Sequence, residues 1–106
     1  MKLISRAEEI ILLAVIKLEG NAYGISIKEL IREATGMEWS FASIYDPLNK
    51  LTRKGYVRKY KSEPTPERGG RHKCLYEITE EGRTALLEIH AVNKKIWEDI
   101  PIKALN

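Results

Sequence analysis

The sequence predicts a mainly α domain with a small β component (α+β): three helices, a two-stranded hairpin and a fourth helix, in that order. Three observations lead there. Capping residues and glycines bracket successive apolar segments in the first half of the 106-residue chain. Two runs rich in aromatic and β-branched residues, 56–61 and 74–78, flank a stretch holding two prolines and two glycines. After Thr79, apolar residues recur at three- and four-residue intervals for about two heptads.

Ser5 followed by Glu8 has capping-box spacing, in which a hydroxyl and a carboxylate satisfy the backbone N–H groups left over at a helix start. The first helix is expected from about Arg6 to Glu19, with Gly20 and Asn21 as its left-handed stop. Every residue from Ile10 to Ile16 is apolar, so this helix needs cover on nearly all sides, more than one small domain supplies. The second helix is expected over 24–35. Ile27, Leu30, Ile31 and Ala34 form its apolar stripe, and Gly36 ends it.

The third helix lies between Trp39-Ser40 and Lys54-Gly55, with Ile44, Leu48 and Leu51 as its buried stripe. A start at Ala42 or Ser43 puts Pro47 in or just past the first turn, where a missing N–H costs least. The two β-prone runs then make a hairpin whose tip, 62–70, is too rich in proline and glycine for regular structure. Thr79 caps the last helix, Glu80 and Glu81 suit its positive end, and it is expected to reach about Asp99. Leu86, Ile89, Asn93, Ile96 and Ile100 repeat along it in an a/d pattern, which fits a helix-mediated homodimer.

Composition narrows the function. With 43% hydrophobic and 31% charged residues the chain is globular. Its longest apolar run has seven residues, whereas a membrane span needs about 20, and Glu8 and Glu9 stand where a secretory leader would be basic. A cytoplasmic protein without membrane contact is expected. Cys74 has no second cysteine to pair with, and with His72 and His90 alone it makes no four-ligand zinc site, so neither metal nor other cofactor is expected.

Charge is concentrated. Residues 50–73 carry nine basic and two acidic side chains, net +7, against −4 for the remainder. That is the footprint expected where a polyanion docks and condensed counterions are released. Three helices followed by a hairpin is also the order of a winged helix-turn-helix, in which the third helix enters the major groove and the wing touches a neighbouring groove or phosphates. The basic segment covers those two elements. Double-stranded DNA is therefore the expected partner, with Ser43, Asn49, Lys50 and Arg53 on the exposed face of the third helix. Arg68, Gly70, Arg71, His72 and Lys73 are the expected contacts from the wing. Tyr45 serves either on that face or as a packing residue whose hydroxyl reaches a phosphate. A winged-helix dimer used for protein–protein contact, without DNA binding, is the competing reading.

From about Glu9 to Leu87 the residues resemble the PadR-like transcriptional regulators. Ala22-Tyr23-Gly24 is similar to the Tyr-Gly pair that follows the family's apolar first helix. Ser43-Ile44-Tyr45, the leucines at 48 and 51, and Lys54-Gly55-Tyr56-Val57 are similar to its recognition helix. Gly69-Gly70-Arg71 and Tyr76-Glu77-Ile78-Thr79-Glu80-Glu81-Gly82 are similar to its wing and the start of its last helix. Two positions depart: Asp46 stands where the family often has proline, and His72 where the wing usually has proline. The resemblance implies a winged helix-turn-helix domain, residues 1–79, and a C-terminal dimerisation helix, residues 80–106. It also implies a repressor whose last helix packs on the partner's first helix, and an aromatic effector at the dimer interface. Ile89, Val92 and Trp97 would meet such an effector, although Trp97 is also explained as a plain interface aromatic.

No enzyme is expected. His72 and Cys74 share a strand face but have no Asp or Asn placed to orient the imidazole. Glu80-Glu81 suits a helix start, and no phosphate-cradling glycine motif precedes a helix.

Overall fold

The computed structural model describes residues 2–63 and 73–106. Helix α1 spans Arg6–Lys17, α2 Gly24–Thr35, α3 Phe41–Arg53, and α4 Glu80–Trp97; strands β1, Val57–Lys61, and β2, Cys74–Ile78, lie between α3 and α4. The expected order of elements is the observed one. Ile11, Leu12 and Val15 of α1, Ile27 and Ile31 of α2, and Ile44, Leu48 and Leu51 of α3 are fully buried in one core that the hairpin closes through Val57 and Tyr76.

Local chemistry sets the element boundaries. The Ser5 hydroxyl accepts from the Glu8 N–H at 3.1 Å while Glu8 Oε1 accepts from the Ser5 N–H at 2.8 Å, the full capping box. At the head of α2 the Ser26 hydroxyl donates to the Asn21 carbonyl and accepts from the Tyr23 N–H. Gly36 closes α2 at φ 73°, a left-handed conformation that side chains disfavour.

Three boundaries differ from expectation. Helix α1 ends two residues early, at Lys17, where the Leu18 N–H still bonds the Ala14 carbonyl before the chain turns. Helix α3 starts at Phe41, because Ser40 caps it through the Ser43 N–H at 3.1 Å. Pro47 is thus the seventh helical residue, beyond the first turn. The helix runs on through it although Pro47 cannot donate to the Ser43 carbonyl; Ile44, Leu48 and Leu51, all fully buried, hold the segments on either side. Helix α4 ends at Trp97, because Asp99 takes φ 62°. Ile100 therefore lies past the helix, ahead of a short 3-10 turn over Ile102–Leu105.

The strands are antiparallel, with Val57 opposite Ile78 and Lys61 opposite Cys74. The outer edge of β2 is used once more, by a bond from the Tyr76 N–H to the Ala22 carbonyl at 2.9 Å, which ties the hairpin to the turn before α2. The radius of gyration, 16.0 Å, exceeds the roughly 13 Å of a compact chain this long. The far end of α4 accounts for part of the difference: every residue from Lys94 onward is exposed. No helix among the described residues is long and apolar enough to cross a membrane.

Candidate nucleic-acid interface

Helix α3 is displayed on the outside of the domain by the stripe that anchors it. With Ile44, Leu48 and Leu51 in the core, the helical period places Ser43, Asn49, Lys50 and Arg53 outward, and all four are exposed. Ser43 and Lys50 line an open cleft of about 520 Å³ together with Ser5, Trp39 and Asp46. Lys50 and Arg53 line a neighbouring cleft of about 440 Å³ with Lys2 and Lys54. Lys2 was invisible as a site residue in the sequence, being an isolated cation 48 positions before Lys50; only the approach of the N-terminal segment to α3 brings it there.

The cations of the basic segment are not equivalent. Lys54 Nζ is bound to the buried Glu8 carboxylate at 2.7 Å. Arg58 pairs with Glu77 directly across the hairpin. Lys73 holds its ammonium 4.5 Å from the centre of the Tyr23 ring, which fixes the base of the wing against the turn before α2. Lys50, Arg53, Lys59 and Lys61 are exposed and have no carboxylate partner among the described residues. Arg68, Gly70, Arg71 and His72 lie outside the described residues.

Tyr45 packs. A Cβ on Gly24 would fall 2.0 Å from the Tyr45 hydroxyl oxygen and 2.6 Å from Cζ, so the ring occupies the space a side chain would need. The Tyr-Gly pair at the head of α2 and the Ile-Tyr pair in α3 are thus two sides of one contact. Phe41 stacks beside Tyr45 with centroids 6.3 Å apart, leaving part of both rings at the surface. Tyr76 is buried, and burial, reinforced by Cys74 and Tyr45, pushes its phenol well above the ordinary range. It stays neutral throughout the physiological range.

Burial also pushes the Glu8 carboxyl up, but the hydrogen bonds from Lys54 and Ser5 outweigh it and hold the group below its ordinary 4.5. The folded chain therefore binds this proton less tightly than the unfolded chain does. The stabilisation is complete above about pH 4.5 and is lost as pH falls through the lower folded value. Glu8→Gln is expected to flatten the decline in thermal midpoint between pH 6 and pH 3. A decline as steep as that of the unaltered protein would contradict the assignment.

The model of the PadR-like transcriptional regulator family matches residues 12–88. Among solved structures, a PadR family transcription regulator from a hypervirulent Clostridium difficile superposes with a TM-score of 0.71 at 23% identity, over 96% of this chain and 100% of that one. A PadR-like transcription factor from Bacteroides fragilis gives 0.70 at 22%, over 94% and 88%. A transcriptional regulator from Clostridium thermocellum gives 0.64 at 25%, over 93% and 100%. No curated protein matches. The structural likenesses establish the fold, a winged helix-turn-helix with a C-terminal helix. Since the family match spans most of the chain, the protein belongs to the PadR-like family of transcriptional regulators.

Proposed function

We propose that the protein represses transcription by binding a pseudo-palindromic operator as a homodimer. The observation that carries this reading is the set of cations without a carboxylate partner among the described residues, Lys50 and Arg53 on α3 and Lys59 and Lys61 on β1, on the two elements that a winged helix presents to DNA. In this reading Asn49 suits adenine, Lys50 suits guanine, and Ser43 contacts either. Arg53, Lys73 and the wing residues Arg68, Gly70, Arg71 and His72 take the backbone or minor groove, and Tyr45 holds α3 in position. A gel shift with the DNA upstream of its own gene, repeated over salt, tests this. Binding that weakens steeply as salt rises is expected; no binding to any duplex at low salt overturns it, and leaves a winged-helix module for protein contact.

The homodimer is supported by apolar surface that the chain leaves uncovered. Leu13 and Ile16 on α1 are 42% and 43% exposed, and Leu87, Ile96 and Trp97 on α4 are 68%, 68% and 62% exposed. Leu86 and Ile89 are divided between this surface and the chain's own core, against which they pack; Asn93 is half-buried and Ile100 exposed. In this division residues 1–79 bind DNA and 80–106 bind the partner chain.

An aromatic effector is the remaining part of the proposal. Leu13, Ile16, Leu86, Leu87 and His90 line a groove of about 370 Å³ between α1 and α4; Ile89, Val92 and Trp97, the residues expected to meet the effector, are not among its lining residues. A ligand that lowers DNA affinity tenfold there must favour the non-binding arrangement by about 1.4 kcal/mol. Trp39→Phe leaves Trp97 as the single indole, so its emission reports binding. If no compound of a diverse aromatic panel changes that emission or releases DNA, the effector site is rejected.

A further inference from the structure

Asp46 is the one acidic residue of α3, and among the described residues neither helix chemistry nor ion pairing explains it. It is exposed and lines the same cleft as Ser43 and Lys50, so it shares their face. It is the sixth residue of the helix, past the first turn where an acid profits from the positive end of the macrodipole. Lys50 is four residues on, the spacing at which opposite charges pair, yet no ion pair joins them. A carboxylate in the middle of a phosphate-facing surface is repelled by the duplex unless it accepts a hydrogen from a base.

Few partners qualify. On major-groove edges the donors are the amino groups of cytosine and adenine, while guanine and thymine present acceptors there. Adenine's amino group stands beside the N7 lone pair, which repels a second carboxylate oxygen; cytosine's stands beside a carbon. We infer that Asp46 is a specificity-determining residue that selects one C·G base pair in each half-site by accepting from the cytosine N4 amino group. This rests on the proposed DNA-binding function and adds to it a discriminating contact made by an acid rather than a base.

The test compares preferred duplexes, selected from random sequence at one fixed salt concentration, for the unaltered protein, Asp46→Ala and Asp46→Asn. The unaltered protein is expected to prefer C·G at one position per half-site by roughly tenfold. Asp46→Ala loses that preference and binds duplexes lacking the pair more tightly, because a repelling charge is gone. Asp46→Asn moves the preference toward adenine, whose N6 and N7 match the amide's donor and acceptor. Independently of any variant, N4-methylcytosine at that position, which puts a methyl group where the groove-facing hydrogen was, weakens binding of the unaltered protein by a similar factor. An Asp46→Ala preference unchanged at every position, or indifference to N4-methylation, overturns the inference while leaving DNA binding intact. Failure of the unaltered protein to bind any duplex overturns the function on which it rests.

Discussion

Gly82→Ala is expected to lower the thermal midpoint by about 15 °C, the equivalent of roughly 3 kcal/mol for a domain of this size. A Cβ at position 82 would lie 2.2 Å from the Tyr56 carbonyl oxygen and 2.8 Å from Ile78 Cγ1. The first of these is backbone, and it has nowhere to go. The Tyr56 carbonyl accepts from the Thr79 N–H at 3.0 Å, the Thr79 hydroxyl donates to the Gly55 carbonyl at 2.6 Å, and the same hydroxyl accepts from the Gly82 N–H at 3.1 Å. One side chain thus caps α4 and clamps it to the turn between α3 and β1. Gly82 is the point of closest approach. A methyl group there must push α4 away from the winged domain, so the proposed dimer should weaken along with stability. A thermal midpoint within 3 °C of the unaltered protein would show that the clamp tolerates the displacement and that Gly82 is not required there.

Ile96→Asp is expected to leave the monomer folded and to abolish the dimer at micromolar concentration. The side chain is largely exposed in the single chain, so folding does not depend on it. In the proposed dimer it is covered, and an unpaired charge buried there costs about 3–5 kcal/mol, a weakening of roughly two to three and a half orders of magnitude. Operator affinity should fall with it, because a symmetric dimer engages two half-sites one helical turn, about 34–36 Å, apart, and a monomer engages one. Sedimentation equilibrium decides: a variant that still sediments as a dimer places the interface elsewhere on the chain.

What the sequence disclosed was set by chemistry close along the chain. Ser5 and Glu8, Gly36, and Thr79 each act within a few residues, and each does in the structure what its spacing implied. The order of elements followed from such local signals together with the periodicity of Ile44, Leu48 and Leu51. Boundaries set by competition were harder. Pro47 argued for a later start to α3, but Ser40 offered the cap, and a core-anchored helix tolerates one missing bond. Asp99 in a left-handed conformation ended α4 earlier than its apolar repeat suggested.

The candidate site was legible in outline for the same reason and not in detail. Position on α3 follows from helical period, so the outward placement of Ser43, Asn49, Lys50 and Arg53 was foreseeable. Which cations stay unpaired was not, because Lys54 meets Glu8 across 46 residues and Arg58 meets Glu77 across 19. Nor was the dependence of the Tyr-Gly turn on the Tyr45 ring, since that contact exists only once α2 and α3 are packed.

The proposed DNA contact is the exposed face of α3 and the cleft beside it, engaging phosphates and bases. Measuring affinity for the selected operator at several salt concentrations, for the unaltered protein and for the Lys50→Ala/Arg53→Ala double variant, tests it most directly. Each phosphate contact contributes about −0.9 to the slope of log affinity against log salt. If Arg53 and Lys50 each meet a phosphate, the variant's slope becomes shallower by about 1.8; with Lys50 on guanine instead, it changes by about 0.9 and the preferred base shifts at one position. A double variant with the slope, affinity and sequence preference of the unaltered protein would mean that this face of α3 does not touch DNA.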